Sequence, residues 1–393
     1  MPGEPLQADQ ALLLDDELWE QVVRASDGMA SLCYQCGVCT AACPWGLVLK
    51  EPLNVRRLIR RAQLGLEVGG DALWLCTTCG LCELSCPRQV AISQVMLSLR
   101  RVAWRRRQVP RGLSRVLWDI QFDGNPWGSP PSHRSAWARG LGVPQFSATD
   151  HQVLYYVGCT VAYDRRAQRV ARALVSLFRA AAVPFGILGD DEPCCGHAAR
   201  DLGQLEYARH LAQQGAEIFR RAGVRTLVAT SPHCYDMFSR HYPPVSDSFR
   251  PLHYTSFLAQ LVEEGRLCFR PLPWRVTFHD PCYLGRRHGV VEEPRRILRA
   301  IPQLELKEMA HTGPKTLCCG GGGGRMWLET EAYARLSHLR VEEAAATGAQ
   351  VLVTACPHCI ACLEDSVKLR GLPLRVMDVA EVAAAALAGG EMP

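Results

Sequence analysis

No stretch of this 393-residue chain approaches the run of about 18 apolar residues that a membrane-spanning helix needs. The longest apolar segment, residues 380–389, is short and alanine-rich. Residues 1–27 carry acids and no positively flanked apolar core, so no secretory signal is expected. Charge of neither sign dominates. The 44 Lys+Arg and 39 Asp+Glu leave a formal net charge of +5, which does not by itself call for a nucleic-acid partner. Helix-turn-helix, finger and aromatic stacking signatures are missing as well, so no nucleic acid is expected. No Gly-x-Gly-x-x-Gly follows a predicted strand, and no flavin or nicotinamide site is signalled. With 48% hydrophobic and 21% charged residues the composition excludes both disorder and a fibre. At roughly 150 residues per domain the length predicts two or three domains.

What the chain has in excess is cysteine, 19 residues. A disulfide scaffold of that density is normally much shorter, and an odd count leaves a thiol unpaired. Metal ligation in a reducing cytoplasm is the expectation.

Eight cysteines form two matching runs, Cys33, Cys36, Cys39, Cys43-Pro44 and Cys76, Cys79, Cys82, Cys86-Pro87. Each reads C-x2-C-x2-C-x3-C-P, in which three thiolates wrap one 4Fe–4S cubane and the fourth ligates the other. One cluster is then expected on Cys33, Cys36, Cys39 and Cys86, the second on Cys76, Cys79, Cys82 and Cys43. Zinc knuckles, the competing reading, lack the third Cys and the trailing Pro. The 32 residues between the runs exceed what a compact ferredoxin needs. Val55, Leu58, Ile59 and Ala62 recur at helical spacing within 52–66, and Ile92, Val95, Met96, Leu99 and Val102 within 90–107. Seven arginines between Arg100 and Arg115 read as a solvated face or as a dock for an acidic redox partner.

Residues 124–142 are rich in Gly and Pro and read as an irregular connector, with Trp127 and Trp137 as packing anchors. Beyond residue 151 the chain is written twice. The first copy carries Cys159, Cys194-Cys195-Gly196 and Cys234; the second carries Cys282, Cys318-Cys319-Gly320, Cys356 and Cys359. Equivalent cysteines are offset by 123, 124 and 122 positions, the mark of a duplicated unit. Strands are expected at 152–157, 226–230, 275–279 and 351–355, and helices at 169–180 and 330–346. Strands alternating with helices imply parallel β/α units, whose ligands gather where strands end.

Adjacent cysteines bridge one another poorly, but both can face one iron centre. The run Gly320 to Gly324 permits close backbone approach, and without a following Lys-Ser/Thr it is a weak phosphate loop. Copy one departs from copy two, because Met237 stands where Cys359 is expected. Cys159, Cys194, Cys195 and Cys234 still suffice for a cubane, an altered noncubane cluster or zinc; a degenerate packed site is the alternative. Cys268 and Cys362 fit no motif and are expected as small buried hydrophobes. His197, His233, His279, His288 and His358 flank the motifs; loop-fixing roles are the first expectation, proton donation the second.

On Cys33 to Pro44, Cys76 to Pro87, the segment His279-Asp280-Pro281-Cys282-Tyr283-Leu284-Gly285, Cys318 to Gly324 and Cys356-Pro357-His358-Cys359, the chain resembles CCG-domain iron–sulfur proteins. Within them it is most similar to the D-type polypeptide of methanogen heterodisulfide reductase and its non-methanogen relatives. The resemblance implies an α+β protein: an α-helical ferredoxin domain (1–110), a linker (111–150), and a duplicated α/β CCG domain with parallel strands (151–270 and 271–393). It also implies a noncubane 4Fe–4S cluster on Cys282, Cys318, Cys319, Cys356 and Cys359 that reduces or forms a disulfide. The disulfide is a small molecule or sits on a protein. Electrons are expected from a flavoprotein, an electron-transfer flavoprotein or a membrane cytochrome b, and the protein is expected in the cytoplasm or peripherally on the inner face of the membrane. Two other readings stand beside this one. The first is an iron–sulfur relay component of a 2-hydroxy acid or glycerol-3-phosphate dehydrogenase-type complex, which shares the domain plan. The second is a zinc-stabilised interaction protein.

Overall fold

The computed structural model describes residues 15–49, 53–331 and 333–388. Its amino-terminal third is helical. Asn54 caps the helix Val55–Gln63 by accepting the Arg57 amide, and Val55, Leu58, Ile59 and Ala62 face inward as their spacing requires. The helix Ile92–Arg105 buries its apolar stripe in the same core, with Leu18 and Val22 of the helix Asp16–Ala25. Both helices fall inside the ranges expected from periodicity.

The arginine run is not uniformly solvated. Arg100 is fully buried, with its guanidinium on the carbonyls of Leu73, Cys76 and Asp201 and over the Trp74 ring. A solvated face was the wrong expectation there, because those carbonyls give a buried guanidinium the acceptors it needs. Arg105, Arg107, Arg111 and Arg115 remain exposed.

The rest is a duplicated α/β structure. In copy one, β1 (Val153–Tyr156), β2 (Phe185–Gly186), β3 (Thr226–Ala229) and β4 (Arg250–His253) form a parallel sheet in the order β2-β1-β3-β4. In copy two, β5 (Arg275–His279), β6 (Glu305–Lys307), β7 (Val351–Thr354) and β8 (Arg375–Asp378) repeat it as β6-β5-β7-β8. The central strands β1 and β7 are buried along their whole length, as near-continuous apolar runs in a covered parallel sheet must be. One hydrophobic core runs through both copies, joining Tyr155, Phe178 and Phe257 to Phe278, Val353 and Ala383.

The helix expected at 330–346 begins only at Leu336 (Leu336–Ala346). Residues 124–142 are irregular, as their composition suggests, but the expected linker begins too early: the helix Leu113–Asp123 packs Leu113, Val116 and Ile120 into the amino-terminal core. Trp137 is buried and Trp127 half-buried, and the Asn125 side chain closes a loop by pairing with the backbone of Asp123, Trp127 and Ser129. No helix among the described residues is long and apolar enough to cross a membrane.

Candidate metal centres

In both sheets the strand order reverses between the two central strands, and the cysteines gather at their carboxyl ends, where open α/β sheets bind ligands. Cys159 begins a helix just past β1, and Cys234 lies in the first turn of the helix Pro232–Arg240 past β3. Cys282 occupies the same place after β5, and after β7 it is Cys359 that stands where Cys234 does, with Cys356 at the helix N-cap, the position Ser231 holds in copy one.

The copy-one thiols form a continuous hydrogen-bonded chain, Cys159 to Cys194 to Cys195 to Cys234. All four are buried. Gly158 has a positive φ of 82°, and a Cβ there would press on the Cys234 sulfur at 3.3 Å. The fold corrects the expected pairing of Met237 with Cys359: Pro232-His233-Cys234 matches Pro357-His358-Cys359, so the missing thiol is at Ser231, the N-cap opposite Cys356, and the buried Met237 stands opposite Cys362.

Copy two converges more tightly, around Cys319. Cys359 Sγ lies 3.3 Å from Cys319 Sγ. Cys318, Cys362 and His279 also face Cys319, and with Cys359 they hold its thiol well below the ordinary range. Cys318 in turn meets Cys282, and Cys359 meets Cys356. Cys362 therefore corrects the expectation of an inert hydrophobe: it is half-buried, touches Cys319 and lines an open cavity with Trp45 and Arg325. Its place three residues past Cys359 extends the spacing to C-x2-C-x2-C, the signal that sequence reading passed over. Cys268 is exposed, so it is not a buried hydrophobe either.

His279 lies with Cys319 and Cys359 such that one donor atom of each falls within 4.8 Å of the others. Distance alone would make it a metal ligand. However, Arg340 Nε donates to His279 Nδ1 at 3.2 Å, and a guanidinium can only donate. The hydrogen of the neutral ring therefore sits on Nε2, a buried atom that makes no hydrogen bond among the described residues. His288 pairs with Asp236 at 2.9 Å across the two copies and is structural.

The other three histidines ring a small cavity of about 40 Å³ between the copies, which the copy-one thiols and Trp327 also line. The His197 and His358 ring centroids lie 4.4 and 4.5 Å from that of His233. Nδ1 of His197, His233 and His358 is buried without a hydrogen-bond partner. Burial pushes His233 down, and it pushes His358 down to about 4, so both are neutral near pH 7.

In the helical region Cys33, Cys36, Cys39 and Cys86 line one surface cavity with Tyr34, Arg56 and Arg88. Cys43 lies instead with the second run: burial, then the sulfurs of Cys76 and Cys79 among others, push it up to about 12. Each fourth cysteine thus stands with the opposite run. Cys79 and Cys318 are in hydrogen-bonding contact, which draws the Cys79 thiol down to about 5. Arg286 donates to the Cys79 carbonyl at 2.7 Å, and Tyr283 shares a 3.0 Å hydrogen bond with Thr78. Thiols converging in fours and fives, buried in the two CCG copies, partly exposed in the helical region and without disulfides, are a donor set suited to iron–sulfur clusters.

A 4Fe-4S dicluster domain model matches residues 29–90, and a cysteine-rich (CCG) domain model matches residues 153–239 and 276–364. The chain is 36% identical over 292 residues to an EtfAB:quinone oxidoreductase of Syntrophomonas wolfei, an alignment covering 70% of this chain and 40% of that protein. It is 33% identical over 400 residues to a probable membrane-anchored ferredoxin of Chromohalobacter salexigens, covering 90% and 59%. It is 30% identical over 271 residues to one polypeptide of the dihydromethanophenazine:CoB–CoM heterodisulfide reductase of Methanosarcina barkeri, covering 67% and 65%. The chain thus spans 40% to 65% of the length of these relatives. Among solved structures, a hypothetical protein from Helicobacter pylori superposes with a TM-score of 0.55 at 7% identity, covering 97% of this chain and 74% of that one, a likeness of fold alone.

Proposed function

Because the chain is a CCG-domain iron–sulfur protein, with a 4Fe-4S dicluster domain joined to two cysteine-rich repeats, we propose that it is an oxidoreductase component of a larger complex. In this reading it moves electrons singly from the ferredoxin region to the copy-two centre, where a disulfide is reduced or formed. The contact between Cys79 and Cys318 carries this reading, because it brings a ferredoxin thiol against a CCG thiol with no intervening residue. Cys33, Cys36, Cys39 and Cys86 would hold one cubane, and Cys76, Cys79, Cys82 and Cys43 the other. Cys282, Cys318, Cys319, Cys356 and Cys359 would hold a noncubane 4Fe–4S cluster; Cys159, Cys194, Cys195 and Cys234 would hold a fourth cluster or zinc.

When bound, the clusters supply one-electron storage and iron that binds sulfur. The reaction R–S–S–R′ + 2e⁻ + 2H⁺ → RSH + R′SH needs two such electrons. The open cavity lined by Cys319, Cys362 and Arg325 beside the copy-two centre would admit the disulfide. Electrons would come from a flavoprotein, an electron-transfer flavoprotein or a membrane cytochrome b, with the chain cytoplasmic or held peripherally on the inner face of the membrane.

A relay without disulfide chemistry is the second reading, favoured by the 36% identity to a quinone oxidoreductase. EPR of anaerobically purified protein, oxidised with and without thiols, separates the two. A thiol-dependent signal lost in Cys318→Ser, with the ferredoxin signals kept, supports disulfide chemistry. Absence of such a signal and of turnover on small disulfides, with transfer onward to quinone through a dehydrogenase partner, would leave the relay.

A further inference from the structure

The two CCG copies are not electrostatic equals. In copy one the connector delivers Arg134 into the thiol set. This residue is 3% exposed, with Nη2 3.5 Å from Cys159 Sγ and 2.8 Å from Glu192 Oε1. Glu192 is fixed in turn by the amides of Val157 and Gly158 at 2.8 and 2.9 Å. The Tyr163 ring packs against the same guanidinium, its centroid 5.9 Å away. In copy two the group facing the thiols is the neutral imidazole of His279, and the charge of Arg340 stands one residue further back, beside Glu343. Copy one therefore has the cationic end of a buried ion pair directly on a cysteine sulfur, whereas copy two has a neutral ring there.

A positive charge or an N–H donor on a cluster thiolate favours the more negative, reduced state, and such contacts are among the levers that set iron–sulfur potentials. We propose that Arg134 is a positioning residue that holds the copy-one centre at a more positive reduction potential than the copy-two centre. Copy one, whose thiols line the histidine cavity, then becomes the electron sink. This rests on copy one holding an iron–sulfur centre, as proposed above. It does not depend on the disulfide reaction.

The test is a reductive titration of the anaerobically purified full chain, followed by EPR, with no disulfide present. In Arg134→Gln one midpoint is expected to move to more negative potential while the others stay. Glu192→Gln, which leaves the cation uncompensated, should move the same midpoint the opposite way. Opposed shifts from adjacent residues are not what a packing defect produces. If one variant fails to fold, the sign of the shift in the other decides. Unmoved midpoints in folded protein would overturn the proposal, as would zinc rather than iron lost on Cys194→Ser. Opposed shifts without disulfide turnover would remove the reaction proposed above and leave this assignment intact.

Discussion

A Cβ on Gly323 would lie 2.2 Å from the carbonyl oxygen of Cys76, and one on Gly322 would lie 2.4 Å from that of Thr77. The glycine run is thus the seam along which copy two presses on the second ferredoxin loop. Gly322 does not have a positive φ, so Gly322→Ala tests the seam by sterics alone. Overpacking of this kind costs about 1–3 kcal/mol. The expected outcome is a lower Tm together with slower electron arrival at the copy-two centre in stopped-flow reduction. Unchanged internal transfer in a destabilised variant would detach the seam from function.

Crossed ligation gives a second prediction. Cys43→Ser should remove the cluster of the other run, and Cys86→Ser the cluster beside Tyr34, because each fourth thiol stands with the opposite three. Iron analysis should fall by one cluster in each, and the EPR of the survivor should differ between them. Cys36→Ser, at the exposed edge, should block reduction of the protein while leaving the CCG centres assembled.

Asp201 yields a third. Its carboxylate accepts from Thr78 at 3.3 Å, Tyr283 at 3.0 Å and the Gly323 amide at 2.9 Å, and it pairs with His197 at 3.2 Å. One buried carboxylate ties the ferredoxin region to both copies. Burial opposes its charge, but His197, His233 and Arg200 outweigh burial and hold its pKa below the usual carboxylate range. Removing it strands four donors, so Asp201→Ala should cost about 3–5 kcal/mol. Denaturant unfolding checks this, and a loss under about 1 kcal/mol would contradict the role.

How much of this was legible beforehand follows from the length scale of each feature. Cysteine spacing and the offsets near 123 residues are local or periodic, so both ferredoxin runs, the duplication and the parallel strands could be read directly. The edge strands could not: β4 contains Pro251 and β2 is two residues long, Phe185–Gly186. Nor could the long-range charges. Arg134 sits in a Gly/Pro-rich connector and Arg100 in a run of like residues, and only the fold shows which arginine turns inward. Cys362 was set aside because motif spacing ended at Cys359, and contact with Cys319 depends on the helix Pro357–Arg370 being in place.

The last prediction concerns pH. Asp378 ends β8 as a buried carboxylate, accepting from the Tyr254 hydroxyl at 2.5 Å and the Ala380 amide at 2.9 Å, while Oδ2 has no partner. Burial outweighs those hydrogen bonds and pushes its pKa from 3.8 up to about 7. Between those values the folded chain binds a proton that the unfolded chain does not, so this group makes stability fall as pH rises. Its contribution is complete below pH 3.8 and is lost as pH passes about 7. The full span is on the order of 4 kcal/mol. Asp378→Asn keeps the shape and an acceptor for Tyr254 without the charge. The variant should match wild type near pH 5 and exceed it by about 1–3 kcal/mol at pH 8, the unpaired amide reducing the gain. Denaturant melts of both proteins across pH 5 to 9 measure the difference directly. A constant offset at all pH values would mean that Asp378 enters the fold already ionised.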